Sequence, residues 1–135
     1  MSGPIIDRID LWLEVDRIHP GQLSDGEEGS KSEFFRNKVT DARNIQRARF
    51  STLDTSKKLS RNSEMSARDL VNFVQLDPEP KSALNLAAER LGFSPRVYHR
   101  MLKVARTIAD LDNSKDISRD HILEAVEYRP KKFDV

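Results

Sequence analysis

The sequence predicts a mainly α-helical domain, a helical bundle that follows one unpaired β-strand and a flexible linker. Three observations support this fold class. Apolar residues recur at intervals of three and four along most of the chain after residue 30. Serine or aspartate precedes several of these segments, where it can cap the first turn of a helix. Glycine and proline mark the places where helices are expected to end.

Composition limits what the protein can do. The 135 residues suffice for one hydrophobic core. With 23 basic and 22 acidic residues, the formal net charge is +1, so no overall field draws the molecule to nucleic acid or anionic membranes. The absence of cysteine excludes disulfides and thiol nucleophiles. A chain without cysteine is typical of a reducing compartment, so we expect a cytoplasmic protein. We also expect no membrane segment, because no apolar stretch is long enough to span a bilayer.

The first predicted element is a strand. Its alternating apolar residues are Ile9, Leu11, Leu13 and Val15. A period of two is typical of a β-strand, although Trp12 interrupts the polar face. No later segment predicts a second strand, so we expect this one to be poorly packed. A polar, Gly-rich linker over residues 19–31 follows.

The first long helix is predicted to begin at Ser30, which is spaced from Glu33 as in a capping box. Helical periodicity then continues to about Phe50. Residues 51–65 are rich in polar residues without clear periodicity, so we predict a loop with one turn.

Three further helices have clearer start and stop signals. Ser66 precedes the first of them, and Asp77 precedes the second, which should end at Gly92 and pack on the first as a hairpin. Ser94 and Pro95 predict the start of a strongly amphipathic helix that extends to residue 111.

A last helix follows. Ser118 is placed to cap it, and Pro130 should stop it.

The helix after Ser94 carries a basic stripe. Residues 94–109 contain three arginines, a lysine and a histidine, and no acidic residue. Arg96 lies in the first turn, where the helix dipole already provides positive potential, so a cation is unfavourable unless an anion lies nearby. A phosphate group would satisfy both the cation and the dipole. On periodicity alone, an ordinary solvated polar face remains the alternative.

Two stretches carry a resemblance to a known family. Residues 2–11 have the sequence SGPIIDRIDL. Residues 92–100 have the sequence GFSPRVYHR, and the second stretch continues as KVARTIADL over residues 103–111. Together with residues 39–49 and 120–129, they resemble the C-terminal region of magnesium-chelatase-like AAA+ ATPases of the ComM type.

The resemblance implies roles for three arginines. The first motif in that family supplies an arginine finger that acts in trans on a neighbouring subunit, and Arg8 matches it. The second motif opens a lid helix whose first-turn arginine, called sensor 2, contacts the ATP phosphates, and Arg96 matches it. Arg100 is an auxiliary candidate. Guanidinium groups suit these roles because phosphoryl transfer spreads negative charge over the transferred group.

The resemblance also implies cofactors and partners. An intact ATPase would use ATP and Mg²⁺, neither of which we expect this chain alone to bind tightly. Its partners would be the rest of the AAA+ core, neighbouring subunits of a ring, and DNA that is remodelled by branch migration, with no membrane involved. A chelatase role would instead need partner subunits and a porphyrin. The three histidines are scattered, so we expect no metal site.

The Walker A loop, Walker B acid and first sensor of the family are missing from this sequence. We therefore expect a fragment without ATP hydrolysis of its own. It would comprise the end of the AAA+ core (1–18), the linker (19–31), the helical lid domain (32–129) and a tail (130–135). The alternatives are a stand-alone nucleic-acid-binding module that uses the basic face of residues 94–111, and a helical protein–protein adaptor.

Overall fold

A computed structural model describes residues 3–17, 20–21, 28–52 and 58–130 of the chain. The α-helices of these ranges are α1 (Gly3–Ile6), α2 (Glu28–Ser51), α3 (Ala67–Phe73), α4 (Pro78–Leu91), α5 (Pro95–Leu111) and α6 (Arg119–Glu127), and a 3₁₀ turn lies at Asn62–Glu64. The mainly helical fold class is therefore confirmed. None of the helices in the described ranges is long and apolar enough to cross a lipid bilayer.

The predicted β-strand is wrong. Residues 11–17 have an irregular backbone, and Leu13 and Val15 are exposed. Alternating side chains favour a strand only when a second strand supplies hydrogen bonds, and no such strand forms within the described ranges. Most of the predicted linker, at residues 19 and 22–27, lies outside the described residues.

The helix starts follow the predicted caps closely. The hydroxyl oxygens of Ser66, Ser94 and Ser118 each accept a hydrogen bond from the backbone N–H three residues further on. Asp77 precedes α4 as expected, although its side chain makes no capping bond. Only the start of α2 is misplaced, because this helix begins at Glu28 and Ser30 lies inside it.

The core is built around α5. Met101, Ala105 and Ala109 of this helix are completely buried, as are Leu84 of α4 and Ile122 of α6. Helices α2, α3 and α6 all pack on α5, whereas α4 packs mainly on α6. The predicted hairpin between α3 and α4 is therefore wrong: the two helices pack on different partners.

A buried polar network joins α2 to α5. The carboxylate of Asp110 is completely buried and accepts bonds from both terminal nitrogens of Arg49, one of them at 3.0 Å. Asn62 of the 3₁₀ turn donates to the same carboxylate at 2.8 Å, and Arg106 donates to it at 3.1 Å. Burial lowers the pKa of Arg106, and the charge of Asp110 opposes that shift. The network therefore holds three separate parts of the sequence together.

Candidate functional site

A groove of about 800 Å³ lies beside the polar side of α5. Its other walls come from residues 10–11, the start of α3 and the end of α6. Apolar side chains such as Met65, Leu70 and Ile108 line part of it. Its basic lining residues are Arg96, His99, Arg100 and Lys103. Its acidic lining residues are Asp10, which pairs with Arg100, and Glu124. The groove therefore combines an apolar surface with an excess of basic side chains.

Arg96 is the lining residue best placed to bind an anion. Its side chain is exposed and makes no hydrogen bond or ion pair with the part of the chain that the structure describes. It is the second residue of α5, whose first turn is capped by Ser94 and contains no acidic residue. The N-terminus of such a helix attracts anions, and a guanidinium group can bind a phosphate through two nitrogens.

An acid from the N-terminal segment also lies at the start of α5. The Ser94 hydroxyl donates to the Asp7 carboxylate at 3.3 Å, while its oxygen accepts from the Val97 N–H at 3.3 Å. Arg129 lies 3.5 Å from the other oxygen of Asp7. The sequence shows no acidic residue within the first turns of this helix. Asp7, which is distant in sequence, places a negative charge at the N-terminus of α5. Arg96 nevertheless remains unpaired among the described residues.

Arg100 differs from Arg96 because it already has partners. Its guanidinium forms an ion pair with Asp10 and donates a hydrogen bond to the backbone carbonyl of Arg8 at 2.9 Å. Arg100 lies four residues after Arg96 on α5, so this contact brings the backbone of Arg8 close to the first turns of that helix.

The Arg8 side chain is exposed and has no ion pair within the described ranges. An arginine without a finger role would be expected to pair with one of the neighbouring aspartates, Asp7 or Asp10. In the structure, both neighbours are engaged elsewhere, Asp7 with Arg129 and Asp10 with Arg100. The guanidinium of Arg8 therefore remains available to a group outside the described part of this chain.

The basic stripe is shorter than the sequence suggested. Arg106 is buried by α2 and by the loop after α5, where it donates to the carbonyls of Ser114 and Lys115 at 2.7 and 2.8 Å. Lys103 donates to the Ser63 carbonyl at 3.3 Å. No three His, Asp or Glu side chains of the described ranges are grouped so that they could hold a metal ion.

Two residues that hold the walls of the groove have no signal in the local sequence pattern. Arg129 belongs to the matching segment 120–129 without a predicted role, yet it is buried and donates to the Ile9 carbonyl at 3.2 Å. Asn62 lies in a polar segment for which the sequence predicts no role, yet it is buried against Asp110. Their partners are distant in sequence, and no local spacing indicates such contacts.

Comparison with known proteins shows the family. Residues 29–129 match the family described as magnesium chelatase, subunit ChlI C-terminal. The chain is 36% identical over 130 residues to competence protein ComM of Haemophilus influenzae. It is 38% identical over 130 residues to the uncharacterized protein YifB of Escherichia coli. Each alignment covers 96% of this chain and 24% of the relative, so the chain spans about a quarter of these curated relatives.

The chain therefore belongs to the magnesium-chelatase-like family, in which it corresponds to the C-terminal domain. The resemblance to the ComM type is confirmed.

Proposed function

We propose that this chain is the lid region of a ring-forming AAA+ ATPase. Arg96 contacts the phosphates of bound ATP, and Arg8 contacts the ATP of a neighbouring subunit. The nucleotide and its Mg²⁺ are held mainly by an ATPase core. The work coupled to hydrolysis is DNA remodelling by branch migration, a step of the proposal that rests on the resemblance to ComM-type ATPases.

One observation carries the proposal. Arg96 presents an exposed guanidinium, unpaired within the described ranges, from the first turn of a capped helix at a basic groove. Such a group can stabilise the negative charge that develops during phosphoryl transfer. A solvated surface arginine explains the exposure, but it does not explain why a cation lies in the first turn of a capped helix beside an apolar groove.

The test compares two arginines in equivalent positions. Arg68 is exposed and is the second residue of the Ser-capped helix α3, as Arg96 is of α5, but it does not line the groove. In an ATPase that contains this region and its core, Arg96→Ala should lower turnover at least roughly tenfold, which is about 1.4 kcal/mol of activation free energy. Arg68→Ala should leave turnover unchanged.

Both substitutions should change the free energy of unfolding of the isolated chain by less than about 0.5 kcal/mol, as is usual for exposed residues without partners. The phosphate-contact role is refuted if Arg96→Ala unfolds the chain and leaves the turnover of the ATPase intact.

The role of Arg8 has a separate test. If the finger acts between subunits, Arg8→Ala should lower the turnover of a ring by a factor of roughly a thousand. Subunits carrying this substitution should also inhibit wild-type neighbours in mixed rings. Mixing these subunits with subunits that keep Arg8 but have an inactivated nucleotide site should restore turnover, because an intact site then receives Arg8 from its neighbour. If mixing restores no turnover, Arg8 does not act in trans.

A second candidate function is a protein–protein adaptor. The observation that favours it is an apolar surface on α2, where Phe34, Phe35 and Val39 are exposed. The nucleic-acid alternative has less support, because Arg100 and Arg106 are already paired with Asp10 and Asp110. A salt titration of binding to single-stranded DNA separates these classes: contacts to phosphates weaken steeply with salt, and apolar contacts do not.

A further inference from the structure

The N-terminal segment is attached to the helical body at several points. The carbonyls of the consecutive residues Arg8 and Ile9 accept hydrogen bonds from Arg100 and Arg129, at 2.9 and 3.2 Å. Three residues further on, the Trp12 N–H donates to the Tyr128 carbonyl at 2.8 Å. These contacts fix the backbone on both sides of the peptide bond that follows Arg8.

The same two arginines bind the acidic side chains of the segment. Arg100 pairs with Asp10, and Arg129 lies 3.5 Å from Asp7. The Arg129 side chain is only 8% exposed, so removing its partners would leave a buried charge without compensation. An exposed pair such as Arg100–Asp10 adds little by itself, but here the same guanidinium also holds a backbone carbonyl.

The side chain of Arg8 takes no part in this attachment. Only its carbonyl is held, and its guanidinium is exposed without a partner in the described ranges. The contacts thus fix where the residue lies and leave its charged group free.

We propose that Arg100 and Arg129 form an arginine clamp that fixes Arg8 relative to the first turns of α5. Arg8 and Arg96 then belong to one rigid unit. A nucleotide that shifts α5 through Arg96 also shifts the arginine offered to the neighbouring site. Arg100 is therefore a positioning residue for Arg8, in place of the auxiliary phosphate contact implied by the resemblance. The link to hydrolysis rests on the proposed function, whereas the clamp itself does not.

Trp12 provides the test in the 135-residue chain, because it is the only tryptophan and lies next to the clamp. Arg100→Ala should raise the acrylamide quenching constant of Trp12 fluorescence at least about twofold and shift its emission to the red, with the helical circular dichroism retained. Arg129→Lys should act in the same direction, because lysine cannot bond the Ile9 carbonyl and Asp7 with a planar fork. Arg100→Lys should restore part of the wild-type signal.

Arg8→Ala is the matched control, since the clamp holds only the backbone of this residue. It should leave Trp12 quenching at the wild-type value, as should Arg96→Ala. The clamp is refuted if both Arg100→Ala and Arg129→Lys leave the quenching unchanged. The proposed function can fail while the clamp holds. In that case an ATPase with Arg8→Ala or Arg96→Ala would show normal turnover, and Arg100→Ala would still expose Trp12.

Discussion

Asp110 is the acceptor at which the contacts between α2, the 3₁₀ turn and α5 converge. Its replacement by asparagine keeps the shape but removes the charge that compensates Arg49 and Arg106. Breaking a buried charge network in this way costs about 3–5 kcal/mol. We therefore expect Asp110→Asn to lower the free energy of unfolding by an amount in that range, measured by urea denaturation.

Asp112 is a suitable control for this experiment. It lies two residues further on, and its side chain is 52% exposed while it contacts His121 and Lys38. Asp112→Asn should cost less than about 1 kcal/mol, as exposed ion pairs contribute little. Equal effects of the two substitutions would mean that the buried network does not stabilise the fold.

At the scale of single elements, Gly92 determines how α4 ends. It adopts φ +64°, a left-handed conformation that side chains disfavour, and an added Cβ would meet no atom within 4 Å. The cost of Gly92→Ala is therefore conformational, about 1 kcal/mol. Thermal or urea unfolding should show this loss, with a smaller one for Gly92→Asn.

Gly3→Ala tests whether the loss comes from the backbone conformation. An added Cβ at Gly3 also meets no atom within 4 Å, and its φ is not in the left-handed region. This substitution should leave the free energy of unfolding nearly unchanged. A comparable loss at both glycines would contradict the conformational explanation.

Capping explains why most helices could be predicted from the sequence. A cap such as Ser94 and the N–H that it accepts from lie within three residues, so the signal is local. The same holds for Gly92, whose N–H bonds to Ala88 at the end of α4. The N-cap signals at Ser66 and Ser118 were found in the same way.

The predictions that were wrong depend on contacts between residues distant in sequence. The period of α5 places Arg106 on the polar face, and only the packing of α2 and of the loop after α5 shows that this part of the face is buried. The predicted strand failed for a related reason, because alternation cannot supply a partner strand. At the candidate site, the helical periodicity of α5 predicts that Arg96 is exposed. It does not predict the partners of Arg100, which lie about 90 residues earlier in the chain.

At the scale of the whole molecule, α2 is anchored by its second half. Residues 31–37 are all exposed, and burial begins at Ala42. Seven helical residues span about 10 Å, so nearly two turns extend beyond the body of the bundle. The exposed pair Phe34 and Phe35 lies on this extension, with ring centroids 5.5 Å apart.

The anchoring of α2 also has a consequence for the order of folding. Its bond from Arg49 to Asp110 spans 61 residues, whereas α4, α5 and α6 follow one another directly and pack together. Closing the 61-residue loop between Arg49 and Asp110 costs more chain entropy before native contacts compensate for it. The three C-terminal helices should therefore form the folding nucleus, and α2 should dock after the transition state.

In stopped-flow chevron analysis, Ile122→Val in α6 should give a φ-value of about 0.5 or more, and Phe50→Leu in α2 a value near zero. The reverse order of these values would show that α2 docks first.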